Sequence, residues 1–311
     1  MSKKIVITGA SGLIGTNLTK VLISRGDKDY VFTRNTDKAK NIIHGAAEYI
    51  KWDYSKPDEW TEHLNGKDAV IHLAGANISG KRWSTNYKEM ILRSRELSTR
   101  NLANAISLLN EKPNAFICAS GVNYYGDSGD KSLTEKEEAG NDFLANVCKI
   151  WESEAKKVEK AGVRRISVRT GVVLTPEEGA LKKMLIAFKL FIGGPLGSGT
   201  QWFPWVHLDD IVNIYTYLLD NNNLSGAFNA SSPNPVTMNE FAKTLGKILK
   251  RPSFFKVPKF ALKLAAGEVA DIITASLKVI PERLMDYGYK FKFLNLKDAL
   301  DDLFKYSFRT P

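Results

Sequence analysis

The opening of the chain restricts the fold more than any other stretch. Lys3-Lys4-Ile5-Val6-Ile7-Thr8 is an apolar, β-branched run, and Gly9, Gly12 and Gly15 follow it at a spacing of three. Ile14, Leu18, Val21 and Leu22 then recur with helical periodicity. The pattern is a strand, a tight turn and a helix N-terminus. Gly9 allows the turn, Gly12 lets a ligand approach the backbone, and Gly15 lets the helix pack close to the strand. The free N–H groups and the positive end of the helix dipole then face whatever lies over the turn, and a pyrophosphate suits that position. The expected cradle is Gly9, Ser11, Gly12, Leu13, Ile14 and Gly15.

The same alternation continues. A second strand, Tyr30-Val31-Phe32-Thr33-Arg34, ends where an NAD-specific site carries an acid for the ribose 2′-hydroxyl; Thr33, Arg34 and Asn35 stand there instead. An arginine beside that ribose suits a 2′-phosphate, so NADP(H) is the expected cofactor. A third strand, Tyr49 to Trp52, runs into Asp53, which either accepts from the adenine amino group or simply begins a turn before Pro57. The fourth, Ala69 to Leu73, ends in Ala74-Gly75-Ala76, so Leu73, Ala74 and Gly75 are expected against the cofactor. His72 lies within that strand and reads as structural. A helical pattern from Met90 to Leu109 carries Arg93 and Arg95, and a fifth strand, Ala115 to Ala119, leads into Ser120 and Tyr124-Tyr125-Gly126. A helix from about Phe143 to Ala161 and a sixth strand, Arg165 to Arg169, complete the series. The fold class is α/β, a doubly wound parallel sheet of Rossmann type with ligands outside the carboxyl ends of its strands.

Beyond Gly171 the pattern changes. Gly193 to Thr200 is a glycine-rich loop without a P-loop ending, and Trp202 to Asp210 is an aromatic turn entering a helix. Phe228-Asn229-Ala230 reads as a returning strand, and helical segments are expected at 239–250, 260–277, 281–287 and 296–304. The division expected is a dinucleotide-binding unit over 1–172, rejoined by 208–232, and a smaller, mostly helical substrate unit from 173–207 and 233–311.

Composition excludes several classes. Hydrophobic content of 43% and charged content of 25% are ordinary for a globular protein. No apolar run reaches the length of a membrane span, and the first strand begins too early for a signal peptide, so a cytoplasmic protein is expected. The net charge of +10 comes from 44 basic residues interspersed with 34 acidic ones. The densest basic stretch, Lys247 to Lys263, alternates with apolar residues, which argues against nucleic acid and for no more than a mild preference for anions. The two cysteines and four histidines show no metal-ligand spacing. A small-molecule partner is expected; the oligomeric state is not legible.

Longer motifs carry a family resemblance. They are Ala74-Gly75-Ala76-Asn77-Ile78-Ser79-Gly80-Lys81-Arg82-Trp83, Tyr124-Tyr125-Gly126, Asp142-Phe143-Leu144-Ala145 through Trp151-Glu152, and Arg169-Thr170-Gly171-Val172-Val173-Leu174. Gly193-Gly194-Pro195-Leu196-Gly197-Ser198-Gly199 and Trp205-Val206-His207-Leu208-Asp209-Asp210 complete the set. With these the chain resembles the extended short-chain dehydrogenase/reductase superfamily, in the atypical epimerase-family branch also labelled nucleoside-diphosphate-sugar-epimerase-like or cell-division-inhibitor-like. The resemblance implies a Rossmann unit binding a nicotinamide cofactor beneath a smaller substrate unit.

In that superfamily a tyrosine handles the substrate proton, a lysine one helical turn later lowers the tyrosine's pKa, and a serine orients the carbonyl. Ser120 matches the serine. Aligning Glu152 with the glutamate of that helix puts Leu144 at the tyrosine and Cys148 at the lysine, and neither can do the chemistry. Lys149 is adjacent but points about 100° away around the helix. Three readings follow. The chain is an oxidoreductase using Ser120 with another acid, for which Tyr125 is the first candidate and Tyr124 the second; or it binds NADPH as a sensor without turnover; or it is a nucleotide-sugar epimerase. Asn77, Lys81, Arg82, Trp83, Tyr124, Lys183, Gln201, Trp202 and His207 are expected around a polar or anionic, ring-bearing substrate. Trp83 and Trp202 also fit plain packing, and His207, just before a helix cap, equally fits orienting Asp210 or the loop.

Overall fold

The computed structural model describes residues 2–305. Seven parallel strands form the central sheet: β1 (Lys4–Thr8), β2 (Lys28–Thr33), β3 (Glu48–Lys51), β4 (Ala69–His72), β5 (Ala115–Gly121), β6 (Arg164–Thr170) and β7 (Gly226–Ala230). They lie in the order β7-β6-β5-β4-β1-β2-β3. The chain therefore reverses direction across the sheet between β1 and β4, and that switch point is where ligands bind in open α/β sheets.

Both faces of the sheet are covered, as parallel strands require. Alternation along β1 sends Ile5 and Ile7 into one core and Val6 into the other. On the first face lie helix α1 (Leu13–Ser24), with Leu18 and Leu22 inward, and the later helix 208–220, with Ile211, Ile214 and Leu218. The second face is covered by the long helix 85–108 and by helix 143–156, through Leu102, Ile106, Trp151 and Ala155. Each such fully buried aliphatic side chain contributes roughly 1.5–3 kcal/mol.

The helices after α1 are α2 (Thr36–Ile42), α3 (Thr85–Leu108), α4 (Phe143–Lys156), α5 (Gly179–Lys189), α6 (Leu208–Asp220), α7 (Met238–Leu249), α8 (Lys259–Ala266), α9 (Val269–Thr274), α10 (Glu282–Asp286) and α11 (Leu296–Phe304). A third core, built on Leu181, Phe188, Phe203, Trp205, Phe241 and Leu300, sits beyond the carboxyl ends of the strands and joins α5, α7 and α11. Buried Asp210 at the start of α6 ties the tail to the sheet by accepting from the Lys292 and Phe293 N–H groups and the Tyr289 hydroxyl.

One expected element differs. The helical stretch 260–277 is broken at Gly267, whose φ of +64° and close approach to the Arg82 side chain separate α8 from α9. Among the described residues no helix is long and apolar enough to cross a membrane, and no cluster of His, Cys, Asp or Glu suits a metal ion.

Candidate functional site

The three glycines of the first turn do different work. A methyl on Gly9 (φ +70°) would stand 2.8 Å from the backbone of Leu73 and Ala74. One on Gly15 would overlap the Gly9 carbonyl oxygen and lie 2.7 Å from Ala10 Cα. These two glycines are required by the protein's own packing. A methyl on Gly12 would meet only Gly9 O, at 3.4 Å, and the residue has an ordinary extended φ of −85°. The room above Gly12 is therefore open to a ligand. Gly12 is the N-cap of α1 with no side-chain cap and no acid in the first turn, and Ser11 and Gly12 are exposed. The Gly12 N–H is held by Gly9 O, but those of Leu13, Ile14 and Gly15 belong to the first turn, where a helix supplies no acceptor. The fragment fits a pyrophosphate.

Beside it, β2 delivers Thr33 and Arg34. Thr33 Oγ1 is engaged locally with Asn35, whose side chain caps α2, whereas Arg34 is exposed and makes no ion pair among those the described residues form. Asp53 starts the turn after β3: its Oδ1 accepts from the Ser55 N–H and hydroxyl, which holds its pKa down. Leu73 and Ala74 leave β4 bonded to Thr8, and Gly75 leads away under the Arg95 side chain. His72 is fully buried, bonded to Thr8 and to Ser98 and Thr99, and burial pushes its pKa down to about 3; it is a neutral core residue.

From Ile14 at this turn a single cavity of about 750 Å³ runs past Ser120 and up between the sheet and the helical unit. Its floor is formed by Ala119 to Asn123, Thr170 to Val172 and the α4 residues Leu144, Val147, Cys148 and Trp151. Its walls are Met184, Leu196, Phe203, Pro204 and Met238 on one side and Ala265, Ala266, Val269, Ile272 and Ile273 of α8 and α9 on the other. Lys81, Arg82, Arg95 and Lys183 also line it, and no aspartate or glutamate does. Charge enters only as cations set in apolar walls.

Of the residues expected around a substrate, Lys81, Arg82, Lys183, Gln201 and Trp202 are brought to this cavity together with Ser120. Lys183 Nζ donates to Ser79 O, and Trp202 Nε1 to Asp130. Gln201 is buried with its amide committed to Ser198, Gly199 and Leu196, so it shapes the loop rather than offering a polar group. Asn77 and Trp83 lie outside the cavity and brace its entrance loop: Asn77 Oδ1 accepts from Ser79, and Trp83 Nε1 donates to Ile78 O. His207 is buried away from it, N-capping α6 through Nδ1 and packed 4.0 Å from the Phe293 ring. Burial lowers its pKa against the opposing pull of Asp209 and Asp302.

Tyr125 is not delivered to the reacting space. Its ring is buried among Val122, Leu133, Leu277 and Val279, its hydroxyl donates to Asn229 Oδ1 at 2.7 Å and accepts from Arg169 Nη1 at 3.0 Å, and burial pushes its pKa up to about 12. The expected acid is thus a structural hydroxyl. Tyr124 is likewise turned aside, its ring covered by the Arg169 guanidinium at 3.4 Å. The reason lies in a network that the linear sequence conceals. Glu152 on α4 receives both Nε and Nη2 of Arg169, each at 2.9 Å, and also accepts from the Ser120 hydroxyl at 2.7 Å. A continuous chain runs Ser120–Glu152–Arg169–Tyr125–Asn229, and it fixes Ser120 at the cavity floor. Cys148 stands beside Ser120 with its thiol pushed up to about 11 by burial, so it is neither thiolate nor cation.

The description "NAD dependent epimerase/dehydratase family" matches residues 5–231, and a domain of unknown function, DUF1731, matches 257–303. A chloroplastic epimerase family protein SDR39U1 homolog from Arabidopsis thaliana is 40% identical over 296 residues, covering 94% of this chain and 84% of the relative. Epimerase family protein YfhF of Bacillus subtilis is 35% identical, covering 96% and 97%. Among solved structures, human epimerase family protein SDR39U1 (isoform 2) with NADPH superposes with a TM-score of 0.87 at 33% identity, covering 97% of this chain and 99% of that one. A UDP-glucuronic acid 4-epimerase from Bacillus cereus, at 17% identity and a TM-score of 0.77, shares the fold. With the glycine turn, the switch-point cavity and these full-length matches in agreement, the chain belongs to the NAD dependent epimerase/dehydratase family.

Proposed function

We propose that the protein is an NADPH-dependent oxidoreductase acting on a carbonyl or hydroxyl group of a substrate with a largely apolar body. The observation that carries this reading is the continuity of one cavity from Ile14, at the phosphate cradle, to Ser120 and on to the walls of α8 and α9. A protein that only sensed the dinucleotide would have no use for a chamber of this size above the reactive end. The human relative solved with NADPH supports the cofactor, and exposed Arg34 supports the 2′-phosphate. Bound NADPH would supply a hydride to a carbonyl, or bound NADP+ take one from a hydroxyl, with the proton exchanged with solvent at the cavity mouth because no carboxyl group lines the cavity. The chain's own part is to hold the substrate oxygen at Ser120 Oγ, whose hydroxyl is oriented by Glu152 and Arg169, and to seat the substrate's body between apolar walls. Glu152 already takes the serine proton, so Ser120 offers lone pairs to a substrate hydroxyl, and rotation of its O–H is needed to face a carbonyl.

A second reading, a non-catalytic NADPH binder, is favoured by one observation: buried Leu144 and Cys148 occupy the positions at which the superfamily places its tyrosine and lysine. Loss of reduced-nicotinamide absorbance against a panel of aryl and alkyl aldehydes and ketones separates the two. Turnover of at least one member, reduced by about 10²-fold or more in Ser120→Ala, is expected for the enzyme. NADPH binding with no turnover on any member would establish the binder instead.

A further inference from the structure

The basic stretch at 247–263 takes no part in the site described above, yet it belongs to an unusual surface. Fifteen large apolar side chains are exposed among the described residues, and eight of them fall within 186–192 and 254–264. The two segments meet. The Phe255 N–H donates to Gly193 O at 3.2 Å and the Val257 N–H to Pro195 O at 3.0 Å, while the Arg251 guanidinium lies 4.3 Å from the centre of the Phe191 ring. Pro258 then opens α8, an eight-residue helix with no fully buried side chain. A helix that short is marginal in water unless something packs on it. Phe254, Phe260 and Leu264 are 74%, 75% and 80% exposed, so they stand out from the surface rather than line a groove. At its other end α8 turns Ala265 and Ala266 to the cavity.

The charge on this face has one sign. Residues 179–192 and 247–264 hold nine lysines and arginines and no aspartate or glutamate, and all nine are exposed. Among the described residues only Lys259 and Lys263 of these form an ion pair, both with Asp271. The carboxyl ends of α5 and α7 offset about half a charge each, which leaves a surplus of cations around the apolar side chains. A second copy of the chain seated here would set like charges face to face. A protein partner would find projecting side chains and no recess for its own anchors. Projecting aromatic and aliphatic groups ringed by lysine instead match the boundary between lipid headgroups and acyl chains. We infer that this face docks on an anionic lipid surface, with Phe254, Phe260 and Leu264 in the acyl boundary and Lys189 and Lys256 among the headgroups. Docking lays the outside of the α8 wall against lipid, a source from which a ligand with an apolar body can reach the cavity. The inference goes beyond the reaction proposed above and stands whether or not that reaction occurs.

The test is flotation of the full-length protein with vesicles of phosphatidylcholine alone and of phosphatidylcholine and phosphatidylglycerol in equimolar amounts. Association with the second and not the first is expected, weakening by about tenfold or more as salt shortens the Debye length from about 30 Å to about 8 Å. Phe260→Ser and Leu264→Ser should each weaken it by about tenfold, and Lys189→Gln and Lys256→Gln by about fivefold each. These side chains are exposed, so the variants should melt with the parent. Leu108→Ser is the control: it is 81% exposed at the end of α3, outside the face, and should leave flotation unchanged. Both native cysteines are buried, so an environment-sensitive fluorophore attached through Phe260→Cys reports on that position, and its emission should shift to the blue on anionic vesicles. No flotation with anionic vesicles, an equal loss in Leu108→Ser, or binding with neither a blue shift nor an effect of Phe260→Ser would overturn the inference. So would a dimer, seen by light scattering, that Phe260→Ser and Leu264→Ser dissolve while vesicles go unbound, which gives the face to a second copy. Tighter binding to poly-glutamate than to the vesicles gives it to an acidic polypeptide and equally overturns it.

Discussion

Gly12→Ala separates the two kinds of glycine in the first turn. The new methyl meets only Gly9 O, at 3.4 Å, and the backbone at φ −85°, ψ 174° is open to any residue. Restricting the unfolded chain favours the variant by about 0.4–1 kcal/mol, while alanine is a poorer N-cap than glycine by a comparable amount. The two nearly cancel, so the apo protein should unfold within about 1 kcal/mol of the parent. The same methyl projects into the space where a pyrophosphate would rest against Leu13, Ile14 and Gly15. Losing two charge-assisted contacts there is worth about 3 kcal/mol, or roughly a hundredfold in NADPH affinity. Gly15→Ala is the control, because its methyl lies 2.7 Å from Ala10 Cα and overlaps the Gly9 carbonyl. Overpacking against backbone should destabilise it by about 3 kcal/mol or more. The assays are urea unfolding of the apo proteins and NADPH titration by protein fluorescence. Unchanged NADPH affinity in Gly12→Ala, with the fold intact, would refute the assignment of this turn.

Three further outcomes are expected. Arg34→Ala should weaken NADPH by about tenfold or more and leave NADH nearly unchanged, read as the ratio of the two dissociation constants. Tyr125→Phe leaves Arg169 Nη1 and Asn229 Oδ1 without a partner, so denaturant unfolding should show a loss of about 1–3 kcal/mol, with NADPH affinity unaltered. Asp29 on β2 is fully buried with neither carboxylate oxygen hydrogen-bonded, and burial pushes its pKa up to about 7. The unfolded chain ionises near pH 4 while the native one stays protonated, so stability should fall as pH rises from about 4 to 7 and level off above. Asp29→Asn should flatten that slope and be about 2–4 kcal/mol more stable than the parent at pH 8, measured by urea unfolding across the pH range.

The sheet was legible because its signals are local. Six short, mostly apolar runs and a brief returning stretch at Phe228-Asn229-Ala230 mark β1 to β7 with boundaries within a few residues of those observed. The glycine turn was legible for the same reason: three residues at one spacing carry the whole cradle. Tyr125 was misread because sequence position places it beyond the end of β5, whereas its orientation is set by Arg169 and by Asn229, 44 and 104 residues away. Glu152 marked the alignment of α4, yet its bond to Ser120 spans 32 residues and leaves no periodicity to detect. Arg95 was visible only as one of several basic residues on a helix. What singles it out, its place over Gly75 at the exit of β4, exists only once α3, α4 and β4 are assembled. The outer wall escaped notice altogether, since 260–277 reads as a plain amphipathic helix and gives no hint that Gly267 folds it over Arg82.

That wall belongs to a part of the chain remote from the cradle. Everything that would grip the dinucleotide comes from the ends of β1 to β5, whereas α8 and α9 reach the rim through an Arg82 contact to Leu264 O and an ion pair between Lys88 and Glu268. Changes confined to α8 and α9 would therefore reshape one wall of the cavity while leaving the glycine turn and the strand ends as they are.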